Sequence, residues 1–240
     1  MKTGIVVFAR LDSTRLPGKA LKTFAGRALL GHVIDRVAGA KLADVITVAT
    51  SDRDVDDGVA ALAQSANVAV YRGSVDNVLA RAIACAEAFD LDHLVRICGD
   101  SPFMDPRLID RIINIHHKHG ADVTTNQHPR TYPAGLSVEV LTVNSLRRVA
   151  EMTDDSVHRE HVTSFIYGHP EDFTIHNVDS TLSELDETPL TIDHADDLVQ
   201  ANWIGRRLHE DGRDLGDMDA VLALAREWRQ TMPVGKQAVP

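Results

Sequence analysis

The chain reads as a single α/β domain, a mostly parallel sheet flanked by helices. Two observations predict it. Short apolar runs alternate with amphipathic stretches through the first half, the pattern of parallel strands joined by crossover helices. Charged residues follow several of those runs directly, at strand ends of the kind where open α/β sheets bind ligands. At 240 residues the chain is long enough for a sizeable core. Its 44% hydrophobic content separates it from disordered chains.

The first strand is Gly4-Ile5-Val6-Val7-Phe8, a continuous apolar run of the buried parallel kind. Further strands are expected at 45–50, 68–71 and 94–98, with helices between them near 27–39, 54–66 and 75–89. Asp105 is a good N-cap and Pro106 suits the first helical position, so a helix starts there. Its apolar stripe is Leu108, Ile109, Ile112, Ile113 and His116. Strands follow at 122–125, 136–142 and 173–178, the second of them alternating from Ser137 as a half-exposed strand does. Helices are expected at 144–152, 156–167, 195–210 and 217–231. Residues 233–240 have little to pack and read as a frayed tail. No repeat or Pro/Gly-rich linker divides the chain, so residues 1–232 form one domain.

Composition narrows the class. A formal net charge of −10 argues against an extended nucleic-acid surface, which needs a basic face. Cys85 and Cys98 lie in apolar stretches without metal-ligand spacing, as reduced core cysteines of a reducing compartment do. No apolar run approaches the ~20 residues of a membrane span. A cytoplasmic protein without nucleic-acid or membrane partners is the expectation. His116, His117 and His119 do not read as zinc ligands: they close a helix before Gly120 and cannot all face one metal from it.

Residues 9–21 read ARLDSTRLPGKAL. Arg10, Arg15 and Lys19 crowd this loop against the single acid Asp12, in a chain that is acidic overall. Pro17-Gly18 is a turn signal. Such a loop suits a polyanion, with backbone N–H groups and basic side chains converging on phosphate oxygens; the bland alternative is a solvated basic loop. It is not a Walker loop, since Ala20 follows Lys19 where a hydroxyl is needed, and no GxGxxG follows the strand. Gly99-Asp100 follows the strand at 94–98, and Asp193 follows the run at 190–192. If these segments are parallel, one edge carries three cations and two carboxylates, the inventory for a nucleoside triphosphate with Mg²⁺. Asp193 reads equally well as the cap of the helix near Ala195. Arg72, read from the residues alone, is the ion-pair partner of Asp76 on a solvated face.

ARLDSTRLPGKAL resembles the signature loop of the cytidylyltransferases that activate acidic sugars. That group includes CMP-KDO synthetase, CMP-sialate synthetase and the spore-coat polysaccharide synthesis F-type proteins, which are nearest. VYRGSVDNVLAR from Val70, VRICGDSPFMDP from Val95, YPAGLSVEVL from Tyr132, HREHVTSFIY from His158 and LTIDHADDL from Leu190 resemble it in the same order, so the likeness spans about residues 4–198. The resemblance implies a Rossmann-like fold of the nucleotide-diphospho-sugar transferase type. It implies transfer of CMP from CTP to an acidic sugar, with Mg²⁺ and a homodimer, for cell-surface glycan synthesis. Carried over residue by residue, nucleotide binding falls to Ala9, Arg10, Ser13, Arg15, Lys19, Arg72, Arg96 and Asp100. Arg10, Lys19 and Asp100 are the catalytic group, and Asp100 and Asp193 the metal ligands. Tyr132, Gly135, Glu139 and Arg159 lie beside the acceptor. Two departures stand out: relatives often carry Asp where this chain has Ser137, and a basic residue near Pro189. The dimer reading adds that Leu146, Val149, Val157, Val162, Phe165 and Ile166 make 144–167 more apolar than a surface excursion needs. A glycosyltransferase would want a carboxylate-x-carboxylate motif after a central strand, where Asp100-Ser101-Pro102 stands. A silent regulatory subunit on the same fold would bind CTP without turnover.

Overall fold

The computed structural model describes residues 1–182 and 188–231. The elements, in chain order, are β1 (Thr3–Phe8), β2 (Thr23–Phe24), β3 (Arg27–Ala28), α1 (Leu29–Val37), β4 (Val45–Ser51), α2 (Asp57–Ser65), β5 (Ala69–Gly73), α3 (Val78–Ala88), β6 (His93–Cys98), α4 (Pro106–His119), β7 (Val123–Thr125), β8 (Glu139–Thr142), α5 (Val143–Met152), α6 (Ser156–Glu160), α7 (Ser164–Gly168), β9 (Ile175–Asn177), α8 (Ala195–Glu210) and α9 (Met218–Thr231). Seven strands form one sheet in the order β5-β4-β1-β6-β8-β7-β9. Its first four strands are all parallel, as the alternating pattern predicts. β8 is inserted antiparallel to both β6 and β7, so the second half is mixed. The expected tail lies outside the described residues.

Four local departures have physical causes. The strand expected over 136–142 shortens to Glu139–Thr142 because the buried Asn126 side chain takes the backbone upstream of it. Asn126 Nδ2 donates to Leu136 O at 2.7 Å, and Val138 N donates to Asn126 Oδ1 at 2.9 Å. The helix expected over 156–167 is broken into α6 and α7, where Val162 turns into the core and Ser164 Oγ donates to His161 O at 2.7 Å. A short hairpin, β2–β3, precedes α1, turning through Ala25 and Gly26, both with positive φ (44° and 81°), as tight hairpin turns require. The run at 190–192 is extended but belongs to no strand.

Two apolar cores sandwich the sheet. One joins it to α1, α4, α8 and α9. The other joins it to α3, α5 and α7. This second core corrects the argument for a dimer segment. Leu146, Val149, Val162, Phe165 and Ile166 are buried within the chain itself, leaving Val157 at 57% and Met152 at 45% exposure as the outward apolar residues there. Helix α4 ends in a left-handed Gly120, φ 62°, as its sequence predicts. His116 faces inward from it, its Nε2 2.9 Å from His93 Nδ1 and its Nδ1 3.0 Å from Thr124 Oγ1. No helix among the described residues is long and apolar enough to cross a membrane.

Candidate active site at the carboxyl edge of the sheet

The basic loop leaves the carboxyl end of β1 and is pinned from both sides. Leu16 and Ala20 are buried apolar anchors. Gly18 takes the left-handed conformation, φ 69°, and its N–H closes the loop onto Leu11 O at 2.8 Å. Leu11 N donates to Asp56 Oδ1 at 2.7 Å, while Ser51 Oγ donates to the other oxygen of the fully buried Asp56. Between its anchors the loop presents Lys19 towards the sheet edge.

Two backbone approaches bring the acids to Lys19. Gly99 N donates to Phe8 O at 2.8 Å, zipping the loop after β6 to the start of the basic loop. A Cβ on Gly99 would lie 2.8 Å from Ala9 Cβ and 2.9 Å from Phe8 O, so only glycine permits this approach. Asp100 comes next. The extended segment 190–192 is held by Leu190 N donating to Ala134 O at 2.7 Å and Ile192 N to Asp100 O at 3.0 Å. Gly135, φ 98°, makes room for it: a Cβ there would sit 2.6 Å from the Leu190 carbonyl carbon. Asp193 thus reaches the site by pairing with Asp100's own backbone, without the parallel strand expected at 190–192.

Lys19 Nζ lies 2.6 Å from Asp100 Oδ2 and 2.7 Å from Asp193 Oδ1, and Arg15 Nη2 lies 2.9 Å from the same Asp193 oxygen. Burial pulls the Lys19 ammonium down, but Asp100 and Asp193 together hold it above its ordinary value. Asp193 is not the cap of α8. His194 is the N-cap, and Asp197 Oδ2, at the third helical position, accepts from Asp193 N at 2.8 Å and His194 N at 2.7 Å, which leaves the Asp193 carboxylate to the cations.

The other expected residues are more dispersed. Arg10 bonds Glu160 Oε1 at 2.7 Å and Asp12 Oδ1 at 3.2 Å, tying the basic loop to α6. Ser13 Oγ accepts from Leu16 N at 3.3 Å, inside the loop. Arg72 pairs with Asp57, not Asp76, and also donates to Ser51 O and Arg53 O, bracing the loop after β4. Arg96 and Glu139 face each other across β6 and β8 and pair at 2.5 Å. Tyr167 Oη donates to the second Glu139 oxygen, also at 2.5 Å. Burial alone would raise the Glu139 carboxyl, but Arg96 and these hydrogen bonds hold it below its usual range. Both Glu139 oxygens are therefore occupied within the protein. Tyr132 is buried, its hydroxyl bound by Arg111 at 2.8 Å and Thr181 N at 3.0 Å. Arg159 pairs with the exposed Asp154. Cys98 sits between Arg96 and Asp100, and burial pushes its thiol up to about 11. Asp56 and Asn126 were not foreseen, because each acts through backbone N–H groups distant in sequence.

Asp100 and Asp193 converge on one cationic point. No group of three or more metal-ligating side chains occurs among the described residues. Mg²⁺ takes only about one or two protein carboxylates and completes its shell with water and phosphate oxygens, so two aspartates fit it. A cavity of about 740 Å³ between the hairpin and α8 shares no residue with this site.

The family model described as Cytidylyltransferase matches residues 4–199. The spore coat polysaccharide biosynthesis protein SpsF of Bacillus subtilis is 36% identical over 172 residues, 69% of this chain and 70% of that protein. The 3-deoxy-manno-octulosonate cytidylyltransferase of Geobacter metallireducens is 34% identical over 113 residues, 47% of this chain and 44% of that protein. The solved structure of a cytidylyltransferase from Leptospira borgpetersenii serovar Hardjo-bovis superposes with a TM-score of 0.88 at 25% identity, covering 98% of this chain and 99% of that one.

Proposed function

The chain belongs to the cytidylyltransferase family, and on that premise we propose that it transfers CMP from CTP to the hydroxyl of an acidic sugar, releasing pyrophosphate. The observation that carries this reading is the convergence of Asp100, Asp193, Arg15 and Lys19 at one point of the carboxyl edge. The similarity to a sugar-acid cytidylyltransferase and to a spore coat polysaccharide protein supports an acidic acceptor and a role in surface polysaccharide synthesis.

In this reaction the sugar oxygen forms a bond to the α-phosphorus, and the bond from that phosphorus to the bridging oxygen of pyrophosphate breaks in line. The hydroxyl proton passes to solvent water as the O–P bond forms. Arg15 and Lys19 face the triphosphate and stabilise the charge that accumulates on it. Arg10 holds the loop to α6, so its contribution to phosphate binding passes through the loop's position. Asp100 and Asp193 would hold Mg²⁺, which supplies charge neutralisation on the phosphates when bound. Binding both substrates at one edge supplies orientation. The active form is a homodimer in this reading, its contact including Val157 and Met152. Pyrophosphate release from each nucleoside triphosphate, assayed with a panel of sugar acids, tests the function. Release with CTP and a sugar acid is expected; release with no acceptor, or with neutral sugars alone, would overturn it.

A further inference from the structure

We propose that Arg130 receives the carboxylate of the acceptor; this deepens the reading of an acidic acceptor and rests on it.

A sugar acid brings negative charge to an edge already lined by Asp100, Asp193, Glu139 and Glu160. It needs a cation with donors to spare. The solvent-facing arginines at this edge are already matched to carboxylates: Arg10 to Glu160, Arg15 to Asp193, Arg53 to Asp12 and Arg72 to Asp57. Arg159, the residue the sequence offers for this task, is taken by Asp154. Arg130 differs. Its side chain is exposed, and its hydrogen-bond partner is the neutral Ser137 Oγ, 2.9 Å from Nη1. It enters no ion pair among the described residues. A guanidinium carries five N–H donors in a planar fork, so one bond to a hydroxyl leaves a bidentate face for a carboxylate.

Its placement fits the reaction. β8 runs antiparallel to β6 with Glu139 opposite Arg96. Ser137, two residues upstream of Glu139, therefore lies towards the end of β6 that leads to Asp100. The loop is also held in shape. Asn126 bonds Leu136 O and Val138 N across its base, and Thr131 Oγ1 donates to Val178 O at 2.7 Å. His128 is stacked on Tyr167, with centroids 4.3 Å apart and planes at 14°, and Tyr167 is anchored on Glu139. A charge fixed in place before the ligand arrives loses less entropy on binding.

The test uses the full chain, CTP and 3-deoxy-manno-octulosonate, with the panel of sugar acids as further probes. Arg130→Gln is expected to raise the acceptor KM tenfold or more and to change the KM for CTP less than twofold. Arg130→Lys should recover part of the loss. Ser137→Asp is the decisive companion: it strengthens the loop contact but neutralises Arg130, so it should raise the acceptor KM as Arg130→Gln does. If Arg130 only braces the loop, Ser137→Asp will leave that KM unchanged, and the proposal falls. An Arg130→Gln enzyme with normal acceptor KM overturns it equally. A wild-type enzyme silent with every sugar acid overturns the acidic-acceptor reading itself, and this inference with it.

Discussion

The two halves of the sheet are built differently, and the difference divides the labour of the site. β5, β4, β1 and β6 are parallel, joined by crossover helices, and deliver the basic loop and Asp100 from two adjacent strand ends. β8, β7 and β9 are short and of mixed direction, and the chain between them is irregular. In the parallel half the site's cations are matched by acids, and Lys19 sits between two of them. In the mixed half a long loop carries Arg130 against a neutral hydroxyl. A parallel frame fixes reacting groups rigidly, whereas a loop hung on a short antiparallel strand can vary its side chains with the acceptor without disturbing them.

Changes in the parallel half should abolish turnover and spare the fold. Asp100→Asn should lower pyrophosphate release by about 10³-fold, the scale of losing electrostatic stabilisation at the reacting centre, with an unchanged melting temperature. Lys19→Ala should cost about 10²-fold for the same reason. Near-normal release from either variant would erase the distinction between the halves.

Changes in the mixed half should act on shape and on the acceptor. Asn126→Ala leaves Leu136 O and Val138 N without partners in a buried site. It should destabilise the protein by about 2–3 kcal/mol and raise the acceptor KM while sparing that for CTP. Denaturant unfolding together with steady-state kinetics checks both parts.

The seam between the halves should be sensitive to acid. His116 is buried, and burial followed by the neighbouring His93 pushes its pKa down to about 3; His93 is lowered as well. The unfolded chain takes up these protons near the ordinary histidine value, about 6.5, while the folded chain resists. The stabilisation is therefore complete above that value. It declines by about 1.4 kcal/mol per pH unit for each proton as pH falls towards 3. Melting temperature measured from pH 7 to pH 4 should show this slope, and His116→Gln should flatten it. A flat wild-type profile would contradict the assignment. The smallest effect is expected from Arg159→Ala. That residue is paired with an exposed aspartate, so it should shift the acceptor KM less than twofold.

What the sequence showed follows the same division. The apolar runs and amphipathic stretches specify the parallel half to within a few residues, because its central strand is a continuous apolar run buried on both faces and its helices each bury one face. The basic loop and Gly99-Asp100 were visible as charge at strand ends. Asp193 was ambiguous, since a helix cap and a metal ligand call for the same side chain; the capping box of His194 and Asp197 takes the cap away from it. The ends of β8 and the break between α6 and α7 were not visible, because a distant Asn126 and the burial of Val162 override local propensity. Glu139, which the resemblance places beside the acceptor, is also held by contacts distant in sequence. Arg96 and Tyr167, from other elements, occupy both its oxygens.

The central claim is that Asp100 and Asp193 act together as the carboxylates of the cytidylyl-transfer centre. Asp193→Asn tests it most directly, by pyrophosphate release from CTP and a sugar acid alongside a melting curve. A loss of about 10²-fold or more is expected, because an amide keeps the shape and removes the charge that faces Lys19 and Arg15. The melting temperature should stay within a degree or two, since His194 and Asp197 form the capping box of the helix. A fully active Asp193→Asn enzyme would contradict the account and reduce the residue to a structural contact.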